Sequence, residues 1–352
     1  MKWTFLVSLL ALISLALCGC QSGDTVAKSG PPTDGAQAKT LKVGIVFDSG
    51  GRGDKSFNDS AYRGIERAKS EFKIEERTVD SKSEKDYDPN LSALAEDGCD
   101  LVIAVGLNQK NALDDVSKKF PNVKFAIVDA VCDSPNVRSL LFKEEEGSFL
   151  AGFVSGLVSK SGKVGFVGGM NIELIHKFMN GFEAGAKTAN PKIEMLPPKF
   201  TENWDNVDTA KAAAKVLFSD GADVVYAAAG RAGLGVISAA KETGKYAVGV
   251  DSDQDYLAEG NVLTSMIKKV DEAVFQSIKD LKDGKFTATK YVYDLKAGGV
   301  GLSEMKYTKD KIGADNLKKV QGVSDRIKSR ELKVPATDDE LKAYLSSVAS
   351  KN

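Results

Sequence analysis

The stretch Val43–Asn58, VGIVFDSGGRGDKSFN, leads from an apolar run through a glycine-rich turn to a helix start. It sets two carboxylates (Asp48 and Asp54), an amide (Asn58) and an aromatic ring (Phe57) side by side. Carboxylates accept hydrogen bonds from hydroxyl or ring N–H groups, and an aromatic face stacks on a flat ring. The set suits gripping a small polar ring compound more than transforming it. Similar groups recur at the ends of other apolar runs. Asp129 closes Lys124–Asp129, Asp251 opens Asp251–Gln254, and Gly230 sits in AGRAGLG (229–235). Lys268 follows the run Val262–Ser265 as an N–H donor to hydroxyls, and Trp204, in KFTENWDNVD, offers a second ring. Each has a plainer reading. A strand-end Asp can cap the next helix, a ring can pack under its own loop, and a Lys can be a solvated charge.

Other chemistries fit poorly. GGRGDKS misses the G-x-x-x-x-G-K-[ST] order of a phosphate loop, because Asp54 separates Gly53 from Lys55, and its carboxylates oppose an anion. AGRAGLG is only a weak dinucleotide signal, and Arg52-Gly53-Asp54 spells an adhesion tripeptide of a length that chance often produces. The sole histidine, His176, lies in a helical pattern with no nucleophile paired to it, so no catalytic residue is assigned. No Cys/His cluster points to zinc, and neither metal nor cofactor is expected. Cys99 precedes one strand and Cys132 follows another, some ~15–20 Å apart in adjacent parallel strands, too far for a bridge. A formal net charge of −1 gives no footprint for nucleic acid.

These groups need a frame that brings strand ends together. Short continuous Val/Ile/Ala runs alternate with amphipathic stretches, the signature of parallel strands covered on both faces by helices. The alternation starts twice, at KVGIVFDSGG (42–51) and at KVGFVGGMN (163–171). A chain of 352 residues exceeds one ordinary core. The expectation is an α/β protein of two doubly wound parallel-sheet lobes, with ligand bound beyond the carboxyl ends of the strands. The first lobe is set at 41–142 plus 266–300 and the second at 143–265, with 301–352 supplying C-terminal strands and a helix returning across the lobes. At the N-terminus, Lys2 precedes an apolar stretch, Phe5–Leu17, too short for a membrane span, and then Cys18-Gly19-Cys20. The pattern resembles a lipobox with Cys20 as the acylated residue. Residues 1–19 then read as a lipoprotein signal peptide and 20–40 as a flexible tether.

The chain resembles the basic membrane protein family of bacterial substrate-binding lipoproteins, which includes purine nucleoside receptors. The resemblance rests on DSGGRGDKSFND (48–59), VDAVCDSPNV (128–137), EEGSFLAG (145–152), KVGFVGGM (163–170), AAAGRAGLGV (227–236), GVDSDQ (249–254) and LTSMIKKVDEAV (263–274). It implies a type I periplasmic-binding-protein fold that feeds an ATP-driven importer. It further implies Phe57 as a stacking ring, Asn58 and Asp129 as base contacts, and Asp48 beside the base or bracing the loop. Asp251, Gly230 and Lys268 would serve the ribose, and Trp204 would stand near the second ring. Leu107 and Arg231 depart from the pattern, where an aromatic and a small residue are usual. The expected partners are a nucleoside, an ABC permease of the inner membrane, and the membrane itself through the lipid anchor. The protein would act as a monomer at the periplasmic or outer surface. A sugar or other small polar ligand is the alternative, and a nucleoside-processing enzyme a weaker one.

Overall fold

In the computed structural model residues 40–350 are described; the expected signal peptide (1–19), Cys20 and all but the last residue of the expected tether (20–40) lie outside them. The chain begins with β1 (Lys42–Phe47), α1 (Phe57–Phe72), β2 (Glu75–Asp80), α2 (Tyr87–Glu96), β3 (Leu101–Val105), α3 (Lys110–Lys119), β4 (Lys124–Val128) and β5 (Val137–Phe142). After α4 (Glu144–Val158) a second alternation follows: β6 (Lys163–Gly168), α5 (Glu173–Ala189), the short β7 (Glu194–Met195) and β8 (Lys199–Phe200), and α6 (Val207–Ser219). It continues with β9 (Val224–Ala228), α7 (Gly233–Thr243), β10 (Tyr246–Asp251) and β11 (Val262–Lys268). The last elements are α8 (Val270–Lys282), β12 (Lys290–Tyr293), β13 (Val300–Leu302), α9 (Lys309–Ile312), α10 (Ala314–Lys328) and α11 (Asp338–Ala349).

Two sheets result, ordered β12-β5-β4-β3-β1-β2 and β13-β11-β10-β9-β6-β7, with β8 also paired to β6. All pairings are parallel except β13 against β11. Runs such as LVIAV in β3 and VVYAA in β9 are buried at every residue, which is what a sheet covered on both faces demands. This is the doubly wound, two-lobed α/β architecture expected from the sequence. Cys99 and Cys132 are buried and unbridged.

The chain crosses between lobes at β5–α4, at β11–α8 and between β12 and β13. β11 continues to Lys268, so the boundary drawn at 265 falls inside a strand of the second sheet. The described part of the segment 301–352, residues 301–350, differs from expectation as well. It packs on the second lobe, where the Tyr344 hydroxyl of α11 lies 2.8 Å from Thr188 Oγ1 of α5 and Arg330, just after α10, donates to Glu146 of α4 at 2.9 Å. The reason is apolar: Val320, Val323, Ile327 and Leu341 are buried there. Helices α4 and α5 meet so closely that a Cβ on Gly152 would sit 1.9 Å from the Phe182 carbonyl oxygen. Glycine alone permits that contact. Among the described residues no helix is long and apolar enough to cross a membrane.

Candidate functional site

The carboxyl ends of both sheets face one cleft, and the sheet orders fix a sequence along it. Nearest the crossings, Asp129 after β4 meets Lys268 at the end of β11. Further along come Asp251 of β10 and Asp48 after β1, and outermost Gly230 and Arg231 after β9 stand near Arg52 and the end of β2. This is where doubly wound sheets hold ligands.

The first-lobe turn is organised by Asp54. Fully buried, its carboxylate accepts from the amides of Ser56 (2.8 Å), Asn58 (2.8 Å) and Asp59 (3.1 Å), satisfying the exposed donors at the start of α1. The acid of the Arg-Gly-Asp tripeptide is therefore unavailable at the surface. With Asp54 capping the helix, Ser56 is free to reach the other lobe, and its Oγ donates to Asp251 Oδ2 at 2.5 Å. Ser252 Oγ returns a bond to the Ser56 carbonyl at 3.0 Å. Asn58 spends its NH₂ on Asp48 (2.8 Å) and Asp54 (3.2 Å), and its buried Oδ1 has no partner among the described residues. Burial pushes the Asp48 carboxyl up to about 6, against the hydrogen bond from Asn58.

The inner end is a charge cluster ringed by aromatics. Lys268, 1% exposed, donates to Asp129 at 2.6 Å and pairs with Glu144 at 3.1 Å. Its Nζ lies 5.2 Å from the Phe57 ring centre, 5.0 Å from Phe142 and 5.5 Å from Phe178, within cation–π range. Burial alone would lower the Lys268 pKa, but Asp129, Glu144 and Asp251 outweigh it and hold the ammonium above its ordinary range. The carboxylates carry the cost. Burial pushes Asp129 up to about 6 and Asp251 to about 7, with Lys268 opposing both rises. Asp129 Oδ1 has no partner among the described residues. Both aspartates sit at positive φ, 69° and 63°, a strained backbone of the kind found at functional sites.

At the outer end Trp204 comes in from the second lobe, its carbonyl accepting from Ala232 N at 3.0 Å. Gly169 makes room for it: a Cβ there would lie 2.4 Å from the indole ring. Arg231 reaches across the cleft and donates from Nη2 to the Arg52 carbonyl at 2.6 Å.

Asp48, Phe57, Asn58, Asp129, Trp204, Gly230, Asp251 and Lys268 all line one cavity of about 60 Å³, against the roughly 10–15 Å³ that one water needs. Leu107 and Arg231 line it too. Sequence reasoning missed Leu174, Ile175 and Phe178, which enter the cavity from the first turns of α5, and Glu144, which braces Lys268. His176 stands on α5 outside the cavity lining, with Nε2 2.7 Å from Asn171 Oδ1 and Nδ1 3.3 Å from Asp338. Asp253 is exposed. Among the described residues no group of three or more His, Cys, Asp or Glu side chains is arranged to hold a metal. The wall thus offers carboxylate and amide acceptors, one ammonium and rings from both lobes.

Residues 41–338 match the family described as ABC transporter substrate-binding protein, PnrA-like. A Listeria innocua protein named CD4+ T-cell-stimulating antigen is 37% identical over 95% of this chain and 99% of its own length. The ABC transporter nucleoside-binding protein BmpA of Lactococcus lactis is 35% identical over 86% of this chain and 91% of its own. Among solved structures, an ABC transporter solute-binding protein of Aeropyrum pernix superposes with a TM-score of 0.80 at 26% identity, covering 89% of this chain and 98% of that one.

Proposed function

Since this chain belongs to the PnrA-like family of ABC transporter substrate-binding proteins, we propose that its cleft receives a nucleoside, a purine first, and delivers it to an ATP-driven permease. One observation carries the reading. Rings from opposite lobes, Phe57 and Trp204, line the same cavity as acceptors on Asn58 and Asp129 that have no partner among the described residues. A base stacked on the rings gains about 1–3 kcal/mol per ring, and its N–H groups meet the free acceptors. Ribose hydroxyls donate to Asp251 and accept from Lys268, beside Gly230, while Asp48 holds Asn58 in place from the base side. Binding of this kind needs shape, stacking and hydrogen bonds, and no reacting group.

Lobe closure about the three crossings would bury the ligand from water. Lipidation at Cys20 and the tether 20–40 would hold the protein at the membrane, at the periplasmic or outer surface, within reach of the permease. The Lactococcus relative named as nucleoside-binding supports this reading by similarity. Calorimetric titration with inosine, guanosine, adenosine, cytidine and ribose tests it. Purine nucleosides should bind and ribose alone should not; binding of ribose with no nucleoside binding would overturn it. Recovery of intact nucleoside after prolonged incubation tests the absence of turnover.

A further inference from the structure

The outer end of the cleft holds a chain of contacts that the nucleoside reading does not use. Asp80, at the end of β2, pairs with the Arg52 guanidinium at 2.6 Å (Nη2) and 3.0 Å (Nε). That guanidinium also lies over the Tyr62 ring, 5.0 Å from its centre. The Arg52 carbonyl is thereby fixed, and it accepts from Arg231 Nη2 at 2.6 Å across the lobes. Gly51 and Gly53, at φ 62° and 88°, flank this contact; their missing Cβ atoms would lie 3.8 Å from Arg231 Nη2. Arg231 Nε is buried yet has no partner among the described residues, and the residue lines the cavity.

We propose that Arg231 is a latch at the mouth of the cleft: one guanidinium N–H closes the second lobe on the Arg52 carbonyl while Nε–H faces the ligand. The inference rests on the cleft binding a ligand between the lobes. The Arg52 bond forms only when the lobes are shut, so it adds to the closed state alone. An acceptor oxygen at the ligand's outer end gives Nε–H the partner it lacks. Ligand and closure then stabilise one another, and the kinetic signature is slow release rather than fast capture. Asp80 acts one step back, by holding the loop that presents the carbonyl.

Two measurements test the latch, the second of them without any ligand. In the first, stopped-flow release of inosine is compared for wild type, Arg231→Ala and Asp80→Asn. Arg231→Ala should raise koff about tenfold, the weight of one charge-assisted hydrogen bond, with kon moving less than about threefold. Asp80→Asn should raise koff in the same direction by less, and the double variant should fall short of the product of the two. Equal koff for wild type and Arg231→Ala overturns the latch and leaves the nucleoside reading standing. In the second, spin labels on Lys85→Cys and Lys241→Cys, on exposed positions of opposite lobes, report the inter-lobe distance without ligand. Arg231→Ala should shift the distribution to longer distances. An unchanged distribution overturns the latch whether or not any nucleoside binds.

Discussion

The two ends of the cleft are built on opposite terms. At the inner end Lys268, Asp129 and Glu144 are each at most 5% exposed at the side chain and locked in one cluster. At the outer end the Arg52–Asp80 pair is a third or more exposed, and Arg231 makes one bond across the lobes. Charges taken out of water interact strongly but cannot lose a partner cheaply, whereas half-exposed pairs contribute little to stability. The inner cluster therefore belongs to fold and site alike, while the outer contacts can be cut without unfolding either lobe. A binding protein gains from that division, since it must keep its pocket shape while its mouth opens and shuts.

The largest effect should follow from breaking the inner end. Lys268→Met strips buried Asp129 of its cation and leaves buried Glu144 only Lys177, 3.4 Å away, and should cost about 3–5 kcal/mol in urea unfolding, along with ligand binding. A loss below about 1 kcal/mol would erase the contrast between the ends. Phe57→Ala should weaken nucleoside affinity at least about tenfold by removing one stack, with circular dichroism unchanged, because Phe57 is only half-buried. Unchanged affinity would make Phe57 a packing residue. Gly169→Ala should push the Trp204 ring aside and weaken binding several-fold, at roughly 1 kcal/mol, with a shift in tryptophan emission. An unmoved emission and affinity would take Trp204 out of the site.

The smallest and most diagnostic effect is that of pH. Asp48 and Asp129 stand at about 6 and Asp251 at about 7, all raised by burial. A raised carboxyl pKa means that the folded state holds its proton more tightly than the unfolded chain. Its contribution to stability is therefore full below the ordinary aspartate range and lost as pH rises through about 7. The ligand-free protein should lose stability between pH 4 and 7 from these groups, and Asp251→Asn should flatten the slope. Binding runs the other way, because ligand hydroxyls need ionised acceptors. Affinity should fall as pH drops from 8 to 5, and Asp251→Asn should remove the part near neutrality. An affinity flat over that range would place the aspartates outside the ligand's reach.

Much of this was legible in the chain because strand ends announce themselves. An apolar run ending in Asp, as at Asp48, Asp129 and Asp251, marks a carboxyl end, and the two matching openings at 42 and 163 mark two lobes. Helix faces hide their purpose. Ile175 and Phe178 read as core of an amphipathic helix, and no periodicity tells whether a face is covered by a sheet or by a cleft. Glu144 carries no mark of its role in the chain, since only the fold brings Lys268 within 3.1 Å of it. The C-terminal region was the least readable. α10 carries few apolar residues, and its docking on α4 depends on contacts distant in sequence. Arg231 stood out as a departure from its family's pattern, but its reach to Arg52 depends on a lobe closure that sequence does not encode locally.

Whether the cleft holds a nucleoside between rings of both lobes is decided by one titration. Purified protein, stripped of bound ligand by unfolding and refolding, is titrated calorimetrically with inosine, guanosine, adenosine, cytidine and ribose. A single site for purine nucleosides is expected, weakened at least about tenfold by Phe57→Ala, with no heat from ribose. Ribose binding with no response to any nucleoside would contradict it.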